Sequence, residues 1–286
     1  MLPKTAQITV YLNIKFITLA ICCLSGFLPG VSQIRFCSWN IANMGKSKDQ
    51  ASLAYISTTL KDFHLVAIQE VNTGADGIRA IVMLDSLLDL TGSQWDYAVS
   101  EPTSGKGSER YAYLWNTQKI KRCGTPWLNQ ELADSMDREP FMCRFALKKD
   151  TFLIANLHAV PTAKNPAREI VQLHRIYELH RKERLVYAGD FNLTFSHKAY
   201  DSLKIRYYLD AVNDVKTSLK TEMRDGEKFA NAYDHILYPS DRVDISEGGI
   251  VDITNDFESL KACRKISDHV PVWAVFKKNK KWERPQ

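Results

Sequence analysis

The segment LVYAGDFN, residues 185–192, is the most informative part of this chain about both its fold and its chemistry. Its apolar run LVYA is typical of a short buried strand, and it leads directly into Asp190 and Asn192. An acid and an amide at the end of so apolar a run cost desolvation free energy unless they bind something. Strand ends are also where an α/β scaffold holds reactive side chains on a fixed backbone. We therefore predict a buried strand with a functional site at its end.

Further segments share this character, because each is a run of strand-forming residues that leads up to, or starts from, a polar group. They are IRFCSWN (34–40, ending in Asn40), LVAIQEV (65–71, with Glu70), TFLIANLH (151–158, ending in His158) and ISDHVPVW (266–273, with Asp268 and His269). A glutamate after a strand is usually a solvated turn residue, so the prediction depends on the segments together. Carboxylates, amides and histidines that converge in this way indicate a hard-cation site suited to phosphodiester hydrolysis.

The order of segments along the chain indicates the fold class. Apolar residues have helical spacing in residues 50–63 and 77–90, and again in residues 165–182, where Asn165 is expected to cap a single helix. RYAYLW, QKIKRC and FMCRFAL, between residues 110 and 147, are typical of a meander of antiparallel strands. Strand–helix alternation combined with such a meander predicts an α/β fold in which sheets pack face to face with helices outside.

Residues 1–32 differ from the rest of the chain. Lys4 and Lys15 precede an apolar run at residues 16–28, and small residues follow that run. This pattern predicts a signal peptide over residues 1–32. An N-terminal membrane anchor is the alternative, although the run is shorter than the roughly 20 residues that a spanning helix needs.

The composition is that of an ordinary soluble globular protein, with 45% hydrophobic and 25% charged residues. No repeat or linker divides residues 33–278, so we expect one domain there, followed by a basic tail at residues 279–286. The net charge of the chain is +5. Removal of residues 1–32 would leave 36 basic and 33 acidic side chains, a net charge of +3. So weak a basic balance permits an anionic partner without requiring one.

Four cysteines follow the predicted signal peptide: Cys37, Cys123, Cys143 and Cys263. An even number in an exported chain permits two disulfides, in three possible connectivities. Cys37 and Cys143 lie in apolar strand-like runs, where a buried free thiol is the alternative. No spacing resembles a zinc site.

Hydrolysis of a phosphodiester requires an activated water, neutralised phosphoryl oxygens and a stabilised leaving oxygen. Glu70, Asp190 and Asp268 offer the anionic oxygens that Mg²⁺ or Ca²⁺ prefers. Asn40 and Asn192 can coordinate or hydrogen-bond without adding charge. These five residues are the candidates for holding a cation and the phosphate next to it.

Histidines are the candidates for proton transfer near neutral pH. A histidine base works best when a carboxylate fixes its tautomer, and Asp234 is a candidate partner for His269, as Glu109 is for His158. His158 alone could equally be a histidine satisfied within the core. Arg138 could hold a phosphate oxygen, because its planar fork matches that geometry.

Taken together, these segments resemble the endonuclease/exonuclease/phosphatase family, and within it the deoxyribonuclease I branch. The resemblance extends from residue 34 to residue 276 and is carried by CSWNI (37–41), VAIQEV (66–71), YAVSEPTSGKGSERYAYLW (97–115), DREPF (137–141), ANLHAVP (155–161), VYAGDFN (186–192), NAYDHI (231–236) and SDHVPV (267–272). It implies a four-layer sandwich, in which two mixed sheets face each other between helices, and a divalent-metal-dependent endonuclease that leaves 5′-phosphate ends.

The resemblance also implies a role for each residue singled out above. By this resemblance Glu70 binds the metal, with help from Asn40, whereas Asp190, Asn192 and Asp268 lie next to the phosphate and the metal. The resemblance also implies that His269, paired with Asp234, is the general base and that His158, paired with Glu109, is the general acid. Arg138 is expected to contact the phosphate.

Three positions depart from the deoxyribonuclease I pattern. Ala42 and Asn72 stand where that pattern has arginines, and Gly107 stands where it has a tyrosine. The resemblance implies that those side chains would lie against the DNA minor groove, so their loss should weaken groove binding and its preference for groove width. The cysteines of the larger disulfide of that branch are also missing.

The expected function is therefore that of a secreted or periplasmic, monomeric endonuclease that cuts DNA with Mg²⁺. Mn²⁺ is expected as a substitute and Ca²⁺ as a structural or activating ion, and no stable membrane insertion is expected once the signal peptide is removed. The alternatives are a phosphodiesterase for a lipid or nucleotide, a toxin-type nuclease subunit that needs carrier proteins, and a binding module that lost catalysis. A lipid-cleaving enzyme should carry an exposed apolar docking hairpin, which the sequence lacks. A binding module would usually have lost one of Glu70, His158, Asp190 or His269, and all four are present.

Overall fold

A computed structural model describes residues 33–278, and the predicted signal peptide and basic tail lie outside them. The strands in this part are β1 (Gln33–Met44), β2 (Leu65–Val71), β3 (Trp95–Val99), β4 (Arg110–Asn116), β5 (Lys121–Leu128), β6 (Phe141–Leu147), β7 (Asp150–His158), β8 (Leu185–Asp190), β9 (Tyr208–Asp210), β10 (Leu219–Arg224), β11 (Glu227–Phe229), β12 (Asp234–Pro239), β13 (Val243–Ile250) and β14 (Val272–Lys278). The α-helices are α1 (Gln50–Leu60), α2 (Ala75–Asp89), α3 (Ala167–Ile170), α4 (Leu173–Leu179), α5 (Asp201–Lys204) and α6 (Leu260–Cys263). None of these helices is long and apolar enough to cross a membrane.

Twelve of these strands form two six-stranded mixed sheets. The first sheet has the order β13-β14-β1-β2-β4-β3, in which only the pair β1 and β2 is parallel. The second has the order β5-β6-β7-β8-β12-β9, in which only β7 and β8 are parallel. Strands β10 and β11 form a separate two-stranded hairpin.

Alternation of side chains along the strands builds three apolar cores. In β1, Phe36 points between the two sheets, where it contacts Phe276, while Cys37 and Trp39 point toward α1 and α2. A third core lies between the second sheet and α3 to α5, around Leu173 and Tyr187. The molecule is therefore a four-layer sandwich of helices, sheet, sheet and helices, which confirms the predicted α/β fold.

Two expectations about local structure were wrong. Strand β4 belongs to the first sheet and β5 and β6 belong to the second, so the three strands form no single meander, although β5, β6 and β7 pair in sequence as antiparallel neighbours. Both edges of β4 are occupied by β2 and β3, which leaves no edge for β5. The single helix expected over residues 165–182 is divided into α3 and α4. The N-cap of α3 is Pro166 rather than Asn165. Asn165 has a left-handed backbone, with φ of 58°, whereas the N-cap residue of a helix is typically extended.

The cysteines of residues 33–278 are unpaired, so the structure has the free thiols that the sequence left as the alternative to disulfides. Cys37, Cys143 and Cys263 are buried and Cys123 is partly exposed. Burial raises the pKa of the Cys143 thiol to about 12 and that of Cys263 to about 11, so these side chains behave as small apolar groups.

Candidate active site

The polar groups at the strand ends meet at one end of the two sheets. The first sheet contributes Asn40 from β1, Glu70 from β2, Glu109 just before β4, and His269 just before β14, and the second sheet contributes His158 from β7, Asp190 from β8 and Asp234 from β12. The parallel pairs β1–β2 and β7–β8 form the middle of this end, because parallel strands bring their carboxyl ends together.

His269 and Asp234 form a buried pair. Nδ1 of His269 lies 2.6 Å from Oδ2 of Asp234, and the two residues are 8% and 1% exposed. Oδ2 also accepts a hydrogen bond of 2.6 Å from the hydroxyl of Thr217. Burial alone would lower the pKa of His269, but Asp234 and Asp190 hold it well above its usual range. This geometry directs Nε2 of His269 toward Asp190, 3.6 Å away.

His158 and Glu109 form a second buried pair. Nδ1 of His158 lies 3.0 and 3.1 Å from the two carboxylate oxygens of Glu109, and Nε2 lies 3.5 Å from Oδ2 of Asp190. Burial would lower the pKa of His158, and the charge of Glu109 and its hydrogen bond outweigh that effect and raise it. Both imidazoles thus present Nε2 to the same oxygen of Asp190.

Arg138 holds the second pair in place. Its Nη1 donates to Glu109 at 3.2 Å, its Nε to the carbonyl of His158 at 2.9 Å, and its Nη2 to the carbonyl of Ala159 at 2.7 Å. The residue is 8% exposed. These bonds fix the position of His158 and its carboxylate partner, and the expected contact of Arg138 with a phosphate stays a prediction.

Asn40 and Glu70 fit a hard divalent cation. Nδ2 of Asn40 donates to Glu70 and to Asp190, both at 3.1 Å, which leaves Oδ1 of Asn40 buried with no hydrogen-bond partner in residues 33–278. An amide oxygen without a partner, beside two carboxylates, is the oxygen-rich donor set that Mg²⁺ or Ca²⁺ prefers. Glu70 is held there by a left-handed backbone, with φ of 62°, and by the amide N–H of Asn43 at 3.0 Å.

The structure gives Asn192 and Asp268 less central positions. The backbone N–H of Asn192 donates to Oδ1 of Asp190 at 2.9 Å, and its Nδ2 donates to the carbonyl of Ala159 at 3.1 Å. Asn192 therefore orients Asp190 and the strand end that carries His158. Asp268 is ion-paired with Arg264 at 3.3 Å, and its side chain is 39% exposed. Its predicted role as a metal ligand stays a prediction.

Sequence reasoning missed two buried hydroxyl groups that connect these residues. Thr217 bonds Asp234, as described above, and also accepts from the backbone N–H of Asp234 at 3.1 Å. Ser267 donates to the carbonyl of Asn40 at 2.6 Å and accepts from the N–H of His269 at 3.1 Å, so it connects the end of β1 to His269. Ser267 lies in the SDH segment, which was a signal, whereas nothing in the local sequence marks Thr217.

Ligand atoms of Asp190, Asp234 and His269 lie within 4.8 Å of one another, and the same is true of a second group, Asp210, Asp214 and His235. His235 uses Nδ1 toward Asp210 at 2.9 Å and Nε2 toward the carbonyl of Leu193 at 3.0 Å. The two oxygens of Asp214 accept from the N–H groups of Phe195 and Ser196 at 2.7 and 3.1 Å. These bonds already occupy the ligand atoms, so the group stabilises the loops beneath the site.

A family profile, two relatives of known sequence and a solved structure all resemble this chain over most of its length. The profile of the Endonuclease/Exonuclease/phosphatase family matches residues 37–269. A deoxyribonuclease of Thioalkalivibrio sp. (strain K90mix) is 29% identical over 87% of this chain and 72% of its own length. Deoxyribonuclease-1 of Canis lupus familiaris is 26% identical over 91% of this chain and 97% of its own. A solved structure of an endonuclease/exonuclease/phosphatase family protein from Bacteroides thetaiotaomicron superimposes with a TM-score of 0.64 at 17% identity, over 86% of this chain and 98% of that one, which is a likeness of fold.

Proposed function

The chain belongs to the endonuclease/exonuclease/phosphatase family, as a hydrolase of the deoxyribonuclease I type, and we propose that it is a metal-dependent endonuclease that cuts DNA and leaves 5′-phosphate ends. The observation that carries the proposal is the meeting of two carboxylate–histidine pairs at one oxygen of Asp190. Such an arrangement offers a proton acceptor and a proton donor on either side of one reacting group.

Two histidines, each held by a carboxylate, would transfer the protons of the proposed reaction. Asp234 fixes His269 so that Nε2 takes a proton from the attacking water, and Asp190 orients that water. Glu109 fixes His158 so that its Nε2 donates a proton to the leaving 3′ oxygen. The water oxygen forms the new bond to phosphorus as the bond to the 3′ oxygen breaks, and the phosphate stays on the 5′ carbon.

Asn40 and Glu70, with Asp190 beside them, are the residues that would hold the cation, and Asp268 is a further candidate. When bound, Mg²⁺ or Mn²⁺ supplies positive charge to the phosphoryl oxygens. A general base must be unprotonated, and positive charge near Asp190 would lower the pKa of His269 toward the range where it can accept a proton.

DNA is favoured as the substrate because the relatives with the higher identities are named deoxyribonucleases. A lipid or nucleotide phosphodiester is the second candidate, because the hydrolytic groups would serve any such ester. We propose export from the cell, as a secreted or periplasmic monomer, from the signal-like composition of residues 1–32.

The test is nicking of supercoiled plasmid by purified residues 33–286 with Mg²⁺ and Ca²⁺. We expect nicking that is lost with EDTA and with His269→Ala. A folded protein that leaves plasmid intact under these conditions would contradict the proposal and direct the search to lipid or nucleotide esters.

A further inference from the structure

The β10–β11 hairpin stands apart from both large sheets. It turns at Asp225 and Gly226, whose φ values of 54° and 77° are those of the tight turn that matches the twist of two antiparallel strands. Residues 221–227 are exposed to solvent. A six-residue strand such as β10 spans at most about 20 Å, and β10 lies against α6.

The base of the hairpin is anchored in the active site. The N–H of Leu219 donates to the carbonyl of Asp268 at 2.7 Å, and Ser218 pairs with His269 as an isolated antiparallel bridge. Thr217, the residue before them, bonds the carboxylate of Asp234. The hairpin therefore begins next to His269, the proposed general base.

Two of the three positions where groove-binding residues are missing lie away from this side. In the first sheet the site runs from β14, which follows His269, across β1 and β2 to β4, which follows Glu109. Asn72 follows β2 and Gly107 lies in the loop before β4, in the far part of this row. Ala42 lies at the end of β1, next to β14, beside which the hairpin begins.

The hairpin also carries cations without partners. Lys220 and Arg224 both lie in β10, where Arg224 is exposed and Lys220 is partly exposed. Neither makes an ion pair or a side-chain hydrogen bond within residues 33–278. The pairing of β10 with β11 is irregular between the two ends of β10, so the alternation of an ideal strand does not assign these side chains to faces. Glu222 lies between the two cations in the chain, and Glu227 is paired with Lys216 at 3.5 Å.

We propose that this hairpin is a second DNA-contacting element, in which Lys220 and Arg224 bind backbone phosphates that flank the scissile one. The inference rests on the proposed function and names how a duplex is held at that site. A duplex presents one phosphate per roughly 1.7 Å of axis, so several phosphates fall within the reach of the hairpin. Contacts of this kind give affinity without reading sequence or groove width, and they substitute for cations that positions 42 and 72 lack.

The experiment measures kcat/KM for a fluorescent 30-base-pair duplex at fixed Mg²⁺ over a series of NaCl concentrations. The variant is Lys220→Ala/Arg224→Ala. The matched control is Lys119→Ala/Lys121→Ala, which removes two exposed charges near the other end of β4, away from Glu109. Each lost phosphate contact should reduce the slope of log kcat/KM against log[NaCl] by about 0.9. We therefore expect a slope shallower by about 2 and a fall of roughly tenfold at low salt for the hairpin variant.

The control variant should keep the slope and rate of the wild type, and equal thermal midpoints for all three proteins check that they are folded. A hairpin variant that keeps the wild-type slope and rate, while the wild type cuts the duplex, overturns the inference and leaves the proposed function standing. A wild type that cuts no duplex at any salt concentration removes the proposed function, and the inference with it.

Discussion

Asp190 is the residue at which the two halves of the site meet. Its carboxylate is 1% exposed, accepts from Asn40 and from the N–H of Asn192, and faces both imidazoles. A buried carboxylate of this kind is tolerable only because it is surrounded by donors. The same donors restrict its orientation, so one side chain sets the distance between the proposed acid and the proposed base.

Replacement of His158 by alanine tests the proposed acid. We expect kcat to fall by about 10²–10⁴-fold, because the proposed proton donor to the leaving oxygen is removed. The thermal midpoint should change little, since Arg138 remains paired with Glu109 at 3.2 Å. The measurement is plasmid nicking together with thermal unfolding.

His174→Ala is the matched control, because that imidazole lies on α4 and bonds only the carbonyl of Val171. Near-normal nicking by His158→Ala would remove His158 from the mechanism.

At the level of elements, the close pairing of β7 with β8 brings His158 next to Asp190. Gly189 makes this possible. Its φ is 142°, in the region that disfavours other residues, and a Cβ there would overlap the carbonyl oxygen of Leu157 on β7. The glycine in VYAGDFN thus lets β8 pack closely against β7 and adopt a backbone conformation that other residues disfavour.

Gly189→Ala should therefore lower the free energy of unfolding by roughly 2–5 kcal/mol, through backbone strain and overpacking. Denaturant unfolding measures the change. Gly249→Ala is the control, because a Cβ at that position meets only Nε1 of Trp273, at the ordinary contact distance of 3.9 Å. Equal stability of Gly189→Ala and the wild type would contradict the close approach of the two strands.

A second element-level contact joins β6 to the segment between α4 and β8. Glu183 accepts two hydrogen bonds from Arg144, at 2.7 and 2.8 Å, and one from His180 at 2.9 Å. Burial alone would raise the pKa of Glu183, but these bonds lower it from 4.5 to about 2. A carboxyl whose pKa is lower in the folded chain stabilises it above pH 4.5, and this contribution is lost as the pH falls toward 2.

Glu183→Gln should accordingly reduce the free energy of unfolding by about 1–3 kcal/mol at pH 7. The difference from the wild type should shrink as the pH is lowered below 4.5. Urea unfolding at several pH values measures it, with the exposed Glu131→Gln as control. A difference that stays constant down to pH 2 would show that the charge of Glu183 is not what stabilises this contact.

At the scale of the whole molecule, the residues at the site end of the sandwich would determine how the proposed DNA duplex is held. The side chain of Asn72 packs near Gly45, and Ala42 and Gly107 offer neither a cation nor an aromatic ring. Recognition of groove width depends on cations and rings inserted in the minor groove. Binding is therefore expected to depend on phosphate contacts, which are screened by salt.

Cleavage rates on A·T-tract and mixed-sequence duplexes should then be equal within about twofold, and both should fall steeply as salt rises. Initial rates on the two labelled duplexes, measured side by side, test this. A strong preference for one groove width would show that other residues read the groove.

Sequence patterns alone were sufficient to predict most of the strands that carry the site, and the residues at their ends. Runs such as LVYA and LVAI are apolar enough to be buried, and the groups that follow them, Asp190 and Glu70, must lie where a strand leaves the core. The motifs also carried the resemblance that indicated the four-layer fold. Those features are local in the chain, so the order of residues is sufficient to specify them.

Which strands share a sheet, and which polar groups contact one another, became apparent only in the folded molecule. His158 and Glu109 are 49 residues apart, and Ser267 bonds a carbonyl 227 residues away. The sequence placed β4, β5 and β6 in one meander, whereas β4 has both edges occupied and the chain crosses to the second sheet. Sheet membership and the role of Thr217 depend on packing between distant segments, which the pattern along a single segment does not encode.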